Sequence, residues 1–363
     1  MKRALVLLLL AGCGTNNNAA DMAAPDGGSD GGGCAPVDGG ATTTVTVVSG
    51  QQLGVIVTDG GVPDGGPATT FMTAVDVPAT VPEGCWSSIQ VQMHVKTNCK
   101  GVPPQGQNWP PPCDPYDRLA QVWLNDKGAT PLFVLDAVTP FGGETTWTQD
   151  VTDYYALLVG THTYHVEVGT YADPSGQATG TMAEHQVDVS ILLVPGAPPR
   201  QVLAAVPLFR QGIDDNTMPL TAKLNAPDGA THARLDYFES GHGGNGNPPC
   251  DEFCQKENDI TIDGMNVYAD SPQSDCSDNC THVPIGGTIS CGGQTFNYIC
   301  KQNPTSCPSS AIAPRSNWCP SQIIPLIQVP LPSTALTGSH DVGLQIQGVN
   351  GSWSIGLSAV YWK

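Results

Sequence analysis

The chain has 363 residues, of which only 13% are charged, and its formal net charge is −19. Nucleic acid is excluded as a partner, because phosphate binding needs a basic surface, and the same charge excludes electrostatic docking on anionic lipid headgroups. The 42 glycines and 32 prolines indicate many short strands joined by turns, with few helices.

The first thirteen residues have the pattern of a bacterial lipoprotein signal. Lys2 and Arg3 are followed by the apolar run 5–10, and Leu10-Ala11-Gly12-Cys13 places small residues directly before a cysteine. This pattern predicts cleavage before Cys13 and lipid attachment to its thiol. No later stretch approaches the about 20 apolar residues of a spanning helix. The lipid is therefore the predicted membrane anchor, and the predicted location is outside the cytoplasm, on the outer membrane or cell surface.

Residues 14–42 are rich in glycine, aspartate and asparagine and carry few side chains that could be buried. Such a composition does not offset the conformational entropy lost on folding, so this segment is predicted to be a flexible tether.

The cysteine count indicates a disulfide framework. Thirteen cysteines less the lipidated Cys13 leave twelve, which predicts up to six disulfides in an exported protein. A four-thiolate zinc site from Cys250, Cys254, Cys276 and Cys280 is the alternative. An oxidising compartment favours the disulfides.

Apolar residues alternate with polar ones in several runs, which predicts strands with one buried face. The clearest runs are Ile89, Val91, Met93 and Val95; Tyr164, Val166 and Val168; Val342, Leu344 and Ile346; and Trp353, Ile355, Leu357, Ala359 and Tyr361. No amphipathic helix of ten or more residues is predicted. Prolines after the apolar run 187–194 predict a boundary between two β domains, residues 43–197 and 198–363.

Two acidic motifs, each beginning with a cysteine, carry the candidate chemistry. The first is Cys113-Asp114-Pro115-Tyr116-Asp117-Arg118, and the second is Cys250-Asp251-Glu252-Phe253-Cys254, which follows the glycine-rich run 240–244. The segment Ala313-Pro314-Arg315-Ser316-Asn317-Trp318-Cys319-Pro320 adds a guanidinium and an indole. Taken alone, each motif is also compatible with a surface turn or a solvated loop.

Together, these motifs resemble the peptide:N-glycosidase F family, amidases that remove N-linked glycans from asparagine. The similarity extends over about residues 45–363. It implies an all-β, disulfide-rich fold of two eight-stranded antiparallel jelly-roll sandwiches side by side, with the active site between them.

The resemblance also implies a set of site residues. Asp117 matches the primary catalytic carboxylate, Glu252 a second acid, and Arg118, Arg315 and Trp318 substrate-side residues. The third catalytic acid is expected on the strand near Gly169, where Glu167 lies two residues earlier on the same face. Tyr171 and His242 stand at substrate-side positions where the family has tryptophan.

The predicted reaction is hydrolysis of the amide between asparagine and N-acetylglucosamine in glycopeptides or glycoproteins. One carboxylate would activate water and a second would carry the proton, with arginines stabilising the charge on the carbonyl oxygen. The resemblance further implies disulfides Cys99–Cys113 and Cys250–Cys254 beside the two acids. The reaction needs no metal or other cofactor, and a monomer is expected.

Three alternatives remain open from the sequence. A non-catalytic member of the fold would bind carbohydrate or protein, and a glycoside hydrolase would also use paired carboxylates. A copper enzyme would need clustered histidines, but His162 and His165 are spaced to lie on opposite faces of a strand.

Overall fold

A computed structural model describes residues 40–58, 68–97, 99, 114, 116–170, 184–214, 216–244, 246, 250–291, 293–301 and 307–363; within these, side chains 55–58 and 68–71 are not described. The predicted signal peptide, Cys13 and nearly all of the predicted tether lie outside the described residues. No helix in the described ranges is long and apolar enough to span a bilayer.

The described residues form nineteen strands. Those of the first half are β1 (Thr43–Thr58), β2 (Ala68–Met72), β3 (Ala74–Val81), β4 (Trp86–Thr97), β5 (Leu119–Leu124), β6 (Leu132–Val138), β7 (Glu144–Asp150), β8 (Gly160–Val168) and β9 (His185–Pro195). Those of the second half are β10 (Val202–Ile213), β11 (Leu220–Asn225), β12 (His232–His242), β13 (Asn258–Ile262), β14 (Met265–Asp270), β15 (His282–Cys291), β16 (Gln294–Cys300), β17 (Ile327–Pro330), β18 (Ser339–Ile346) and β19 (Ser352–Trp362).

The α-helices within the described residues are single turns, α1 (Tyr155–Leu158), α2 (Cys250–Phe253) and α3 (Pro308–Ile312). The predicted all-β fold class and the scarcity of helices are confirmed.

The first half forms two antiparallel sheets, with strand orders β2-β1-β9-β4-β7 and β3-β8-β5-β6. The second half forms the sheets β10-β19-β12-β17 and β11-β18-β13-β14, and β15 pairs with β16 in a separate hairpin. Each pair of four- or five-stranded sheets encloses its own apolar core. The eight-stranded jelly-roll connectivity and the domain boundary at residue 197 stay predictions, because residues Cys34–Lys363 form one compact unit.

The alternating runs lie where their periodicity predicted. All the apolar residues named for these runs are at most 2% exposed. They point into the two cores because successive side chains of a strand face opposite sides of its sheet. The period-2 predictions for β4, β8, β18 and β19 are therefore confirmed.

The two sandwiches face one another through the sheets that contain β5 and β12. On this side Trp123 and Phe133 pack with Phe238. Gln121 Nε2 donates to Ser354 Oγ at 2.8 Å, and Tyr154 Oη donates to Asp236 Oδ2 at 2.8 Å. Both faces of these sheets are covered, which explains why β6 is buried at every position.

Candidate active site

Asp117 lies in the extended segment that leads into β5. Its Oδ2 atom is buried and accepts no hydrogen bond from the described residues. Burial raises the pKa of Asp117 to about 6; Arg315 opposes this shift, and the negative charge of Glu252 adds to it. The side chains of Glu252 and Arg315 therefore act electrostatically on Asp117, although they belong to the other sandwich.

The segment around Asp117 is held by a second, fully buried carboxylate. Asp114 accepts from Arg118 Nε at 2.7 Å and from Arg118 Nη2 at 3.1 Å. It also accepts from the backbone N–H of Tyr116 at 3.1 Å and from the hydroxyl of Thr170. Arg118 is thus engaged by the protein on the Asp114 side, and its position fixes the residues on either side of Asp117.

Glu252 lies on α2, a single helical turn closed by the Cys250–Cys254 disulfide. Its backbone N–H donates to the carbonyl of Gly243 at 3.2 Å, and its carbonyl accepts from the N–H of Ser316 at 3.0 Å. The turn of chain that carries Glu252 is therefore held between the end of β12 and the segment that contains Arg315.

The glycines that precede α2 allow it to pack closely against β12. A Cβ on Gly241 would lie 2.3 Å from the carbonyl oxygen of Asp251, and one on Gly244 would lie 2.9 Å from the Asp251 nitrogen. Gly244 also has a φ of +97°, which side chains disfavour. Glycine is thus required at positions 241 and 244, because α2 lies too close to this segment to leave room for a side chain.

The side chain of Asp251 holds α2 against the segment before β19. Its carboxylate is fully buried, accepts from the backbone N–H groups of Asn350 and Gly351, and pairs with Lys256 Nζ at 3.1 Å. Burial alone would raise the pKa of Asp251, but these hydrogen bonds outweigh it and lower the pKa.

Arg315 contacts Glu252 directly and acts on Asp117 through its charge. Its side chain is 1% exposed, and its Nε lies 3.4 Å from Glu252 Oε1. The guanidinium lies 5.0 Å from the ring centre of Phe253 and 4.7 Å from that of Trp318. Burial lowers the pKa of Arg315, whereas Asp117 and then Glu252 favour its charged form. A desolvated arginine beside two carboxylates can stabilise negative charge that develops on a bound carbonyl oxygen.

Trp318, predicted to be a substrate-side residue, has a buried side chain. Its indole is 1% exposed, and its Nε1 donates to the carbonyl of Gly241 at 2.8 Å. The ring packs against Arg315 and His242, so in this conformation it offers no exposed face to the substrate, although a substrate-side role is predicted for it. The exposed aromatic beside Asp117 is instead Tyr116, at 38%.

His242, at a predicted substrate-side position, is half-buried and lies against Trp318, with ring centres 4.9 Å apart. Its Nε2 is 2.9 Å from the hydroxyl of Ser240. Burial and the charge of Arg315 lower the pKa of His242 to about 4, so the imidazole is neutral at pH 7. It can contribute a hydrogen bond there but no positive charge.

Glu167 is part of a different set of contacts. Its Oε2 lies 3.9 Å from His165 Nε2 and 3.9 Å from Arg210 Nη2, between the two sandwiches. The backbone N–H of Gly169, at the position expected for the third acid, donates to the carbonyl of Leu119 at 2.8 Å. The structure thus brings Asp117, Glu252 and Arg315 together, and it places Glu167 beside Arg210. Predicted residues Tyr171 and Cys113 lie outside the described residues.

The zinc alternative is excluded because its four cysteines form disulfides: Cys250–Cys254, Cys276–Cys319 and Cys280–Cys300. The predicted Cys250–Cys254 bond is confirmed. Cys291–Cys307 is a fourth bond, and Cys85 and Cys99 are also disulfide-bonded. The described residues contain no group of three side chains arranged to hold a metal ion.

Sequence reasoning does not identify the two supporting aspartates, because Asp114 before Pro115 indicates a turn and Asp251, between two cysteines, indicates a solvated loop. A shared signal was present, since Asp114 and Asp251 each follow a cysteine directly within the acidic motifs. Both side chains are fully buried and hold the segment that presents a candidate catalytic acid.

The fold and the acids that meet between its halves define a two-sandwich protein with a composite acidic site. Residues 212–354 match the family described as peptide-N-glycosidase F, C-terminal. The resemblance to this family that the motifs predict is confirmed over these residues. No curated protein sequence matches the chain.

Solved structures of the same fold extend the similarity over most of the chain. One is a peptide-N(4)-(N-acetyl-β-D-glucosaminyl)asparagine amidase, with 19% identity, a TM-score of 0.64, and coverage of 89% of this chain and 96% of that one. A second is PNGase F from Flavobacterium meningosepticum, described as a glycosylasparaginase, with 18% identity and the same TM-score and coverage. PNGF-II matches at 18% identity with a TM-score of 0.61, covering 88% of this chain and 65% of that one.

Proposed function

We propose that this protein is a peptide-N-glycosidase-like amidohydrolase. It hydrolyses the amide that joins asparagine to N-acetylglucosamine, releases the glycan and leaves aspartate. The observation that carries the proposal is that Asp117, a buried carboxylate of the first sandwich, lies close enough to Glu252 and Arg315 of the second for their charges to act on it, while Arg315 Nε is 3.4 Å from Glu252 Oε1. Composite sites of this kind place a base, a second acid and a cation around one substrate group.

In this proposal Asp117 is the general base. With a pKa of about 6 it is ionised at neutral pH, yet it is a stronger base than an ordinary aspartate. Its buried Oδ2 accepts no hydrogen bond from the described residues, so it is suited to accept one from water. Asp117 takes one proton as the water oxygen attacks the amide carbon.

The remaining groups complete the reaction. Arg315, held beside Glu252, stabilises negative charge on the carbonyl oxygen as the tetrahedral intermediate forms. The carbon–nitrogen bond then breaks while the leaving nitrogen gains the proton that water gave up. Glu252 either helps Asp117 to hold the water or delivers this proton to the nitrogen. Arg118 is bound to Asp114, so we assign it the task of holding the Asp117 segment.

A second candidate is a binding protein of the same fold. The observation that favours it is the position of Glu167, which lies beside His165 and Arg210, while Gly169 stands where a third acid is expected. Such a protein would bind N-glycopeptides in the same crevice without hydrolysing them.

The deciding experiment incubates the purified chain with a denatured N-glycoprotein in heavy-oxygen water. We expect the linked asparagine to become labelled aspartate and the glycan to retain its innermost amino sugar. Cleavage between two sugars would instead identify a glycoside hydrolase. Binding without any cleavage would establish the second candidate.

The variants Asp117→Asn and Glu252→Gln test the residues. The first should lower kcat by about 10²-fold or more and the second by about tenfold or more, because each removes a proton-transfer group. Glu144→Gln, which alters an exposed carboxylate on β7, is the matched control and should leave activity unchanged. Full activity in Asp117→Asn would rule out the proposed base.

We also propose that the protein acts as a monomer outside the cytoplasm, anchored by lipid on Cys13. Its disulfides support an oxidising compartment. Metabolic labelling with a fatty acid should mark the wild-type chain and leave Cys13→Ser unlabelled. Labelling of both chains would contradict the assignment.

A further inference from the structure

One disulfide-stapled hairpin stands apart from the four sheets. Among the described residues, β15 and β16 pair only with each other. An isolated two-stranded hairpin is only marginally stable in water. The Cys280–Cys300 disulfide joins the two ends of the hairpin, and Cys291–Cys307 ties the end of β15 to the residue before α3, so the hairpin is held by covalent bonds although it belongs to none of the four sheets.

The base of this hairpin is fixed to the segment that carries Arg315. Ser274 and Arg315 exchange two backbone hydrogen bonds, of 2.9 and 3.2 Å. The Cys276–Cys319 disulfide adds a covalent link one residue after Trp318. Asn279 Nδ2 donates to the carbonyl of Pro320 at 2.6 Å. The hairpin therefore extends directly from the wall of the candidate active site.

The surface of the hairpin carries no acidic side chain and, apart from His282, no basic one, in contrast to the rest of the chain. Residues 282–300 contain no Asp, Glu, Lys or Arg, although the chain has a net charge of −19. Hydroxyl and amide side chains are exposed along both strands, namely Thr288, Ser290, Gln294, Thr295 and Asn297. An uncharged surface favours an uncharged ligand, because a charged ligand would lose hydration there without gaining a partner.

Aromatic rings lie on one face of the same hairpin. The rings of His282 and Tyr298 are stacked, with centres 3.7 Å apart. Phe296 meets Tyr298 edge to face at 5.7 Å. Phe296 and Tyr298 are both half-buried and are two residues apart, so they face the same side. Rings beside amides and hydroxyls provide apolar contact together with hydrogen bonds that fix orientation.

We propose that this hairpin is a binding subsite for a neutral oligosaccharide, namely the outer sugars of the N-glycan whose linkage to asparagine lies at Asp117 and Glu252. The inference rests on the proposed function and adds a substrate preference to it. A sugar has apolar C–H faces that pack on the rings of Tyr298 and Phe296, and hydroxyls that bond to the exposed amides. A rigid platform joined to the Arg315 segment would hold these sugars at little entropic cost.

The kinetic test compares two glycopeptides with the same peptide. One carries a full neutral N-glycan, and the other carries only the inner disaccharide. Tyr298→Ala should lower kcat/KM about tenfold on the full glycan, mainly through KM, and leave the short glycan unaffected. Phe296→Ala should act in the same direction. Met265→Ala, which removes an exposed apolar side chain on β14, is the matched control and should change neither value.

A binding measurement separates this subsite from the catalytic proposal. The free neutral oligosaccharide, titrated into Asp117→Asn by calorimetry, should bind, and adding Tyr298→Ala should weaken its Kd about tenfold. The thermal unfolding midpoint of each variant verifies folding.

Equal losses of kcat/KM on both glycopeptides, or no loss on either, would overturn the subsite. In a further series of glycopeptides that share one glycan, a loss that follows peptide length would also overturn the subsite, because it would identify an extended peptide bound along the hairpin. An inactive wild type that still binds the free oligosaccharide through Tyr298 would overturn the amidase and support the subsite.

Discussion

Asp114 and Arg118 form a two-pronged ion pair, with 2.7 Å from Nε to Oδ2 and 3.1 Å from Nη2 to Oδ1. The pair encloses the short segment that presents Asp117. Two parallel charge-assisted hydrogen bonds fix the direction of a guanidinium as well as its distance. The geometry of the candidate base therefore depends on a carboxylate that itself takes no part in the proposed reaction.

Asp114→Asn should remove this constraint. The neutral amide cannot pair with both nitrogens of Arg118, so the free energy of unfolding should fall by about 3 kcal/mol. Denaturant titration measures this loss, and kcat should fall with it because Asp117 is less well held. Asp76→Asn, which alters an exposed partner of His165, is the control. An unchanged unfolding midpoint in Asp114→Asn would contradict the scaffold role.

The pKa of Asp117 predicts the acid limb of the pH profile. A base with a pKa of about 6 in the free enzyme is progressively protonated below that pH, so kcat/KM should fall toward acid. Initial rates on one glycopeptide over a pH series measure the limb. Constant kcat/KM through pH 6 would mean that Asp117 is not the titrating base.

The same pKa predicts that the candidate base lowers the stability of the fold. Because the folded pKa lies above the ordinary value of 3.8, the native state binds more protons than the unfolded state between about pH 4 and pH 6. Stability should therefore decrease as the pH rises through this window.

Asp117→Asn removes the charge and should raise the free energy of unfolding at pH 7 by on the order of 1 to 3 kcal/mol. At pH 4, where wild-type Asp117 is largely protonated, the two proteins should unfold at similar denaturant concentrations. A variant that is less stable than wild type at pH 7 would be inconsistent with a desolvated carboxylate.

The Cys250–Cys254 disulfide should matter more for activity than for folding. Its loop is short, so the chain-entropy model gives about 2 kcal/mol of stabilisation. The bond also closes the helical turn that carries Glu252, so Cys250→Ser with Cys254→Ser should lower kcat by about tenfold.

The matched control replaces Cys280 and Cys300 with serine. That bond lies at the base of the β15–β16 hairpin, and its loss should leave activity on the inner-disaccharide glycopeptide unchanged. Equal losses on this substrate for the two double variants would indicate general destabilisation.

The strands were predictable from the sequence wherever burial is one-sided. Val342, Leu344 and Ile346 alternate with exposed or half-exposed neighbours, so a period of two identifies β18 and its inward face. In β6 every residue is buried, and alternation alone gives no signal for it. That burial arises because the second sandwich covers the outer face of the sheet.

For two of the predicted site residues, the surroundings of the side chain could not be inferred from the neighbouring sequence. Trp318 has the right position in the chain, yet its indole is buried, because side-chain exposure depends on what packs above it. Glu167 lies on the predicted strand, but the neighbouring Arg210 comes from the second sandwich. No local pattern contains that contact.

The sequence by itself determined the all-β class, the strand faces, the abundance of disulfides and the two acidic motifs, because periodicity, composition and spacing are local properties of a chain. Only the tertiary structure decided that Asp117, Glu252 and Arg315 influence one another, since Asp117 is more than a hundred residues from the other two in sequence and meets them through the packing of two sandwiches. It also decided which carboxylates hold the site through hydrogen bonds and which one is buried with an elevated pKa. Burial and hydrogen bonding are set by neighbours from other parts of the fold.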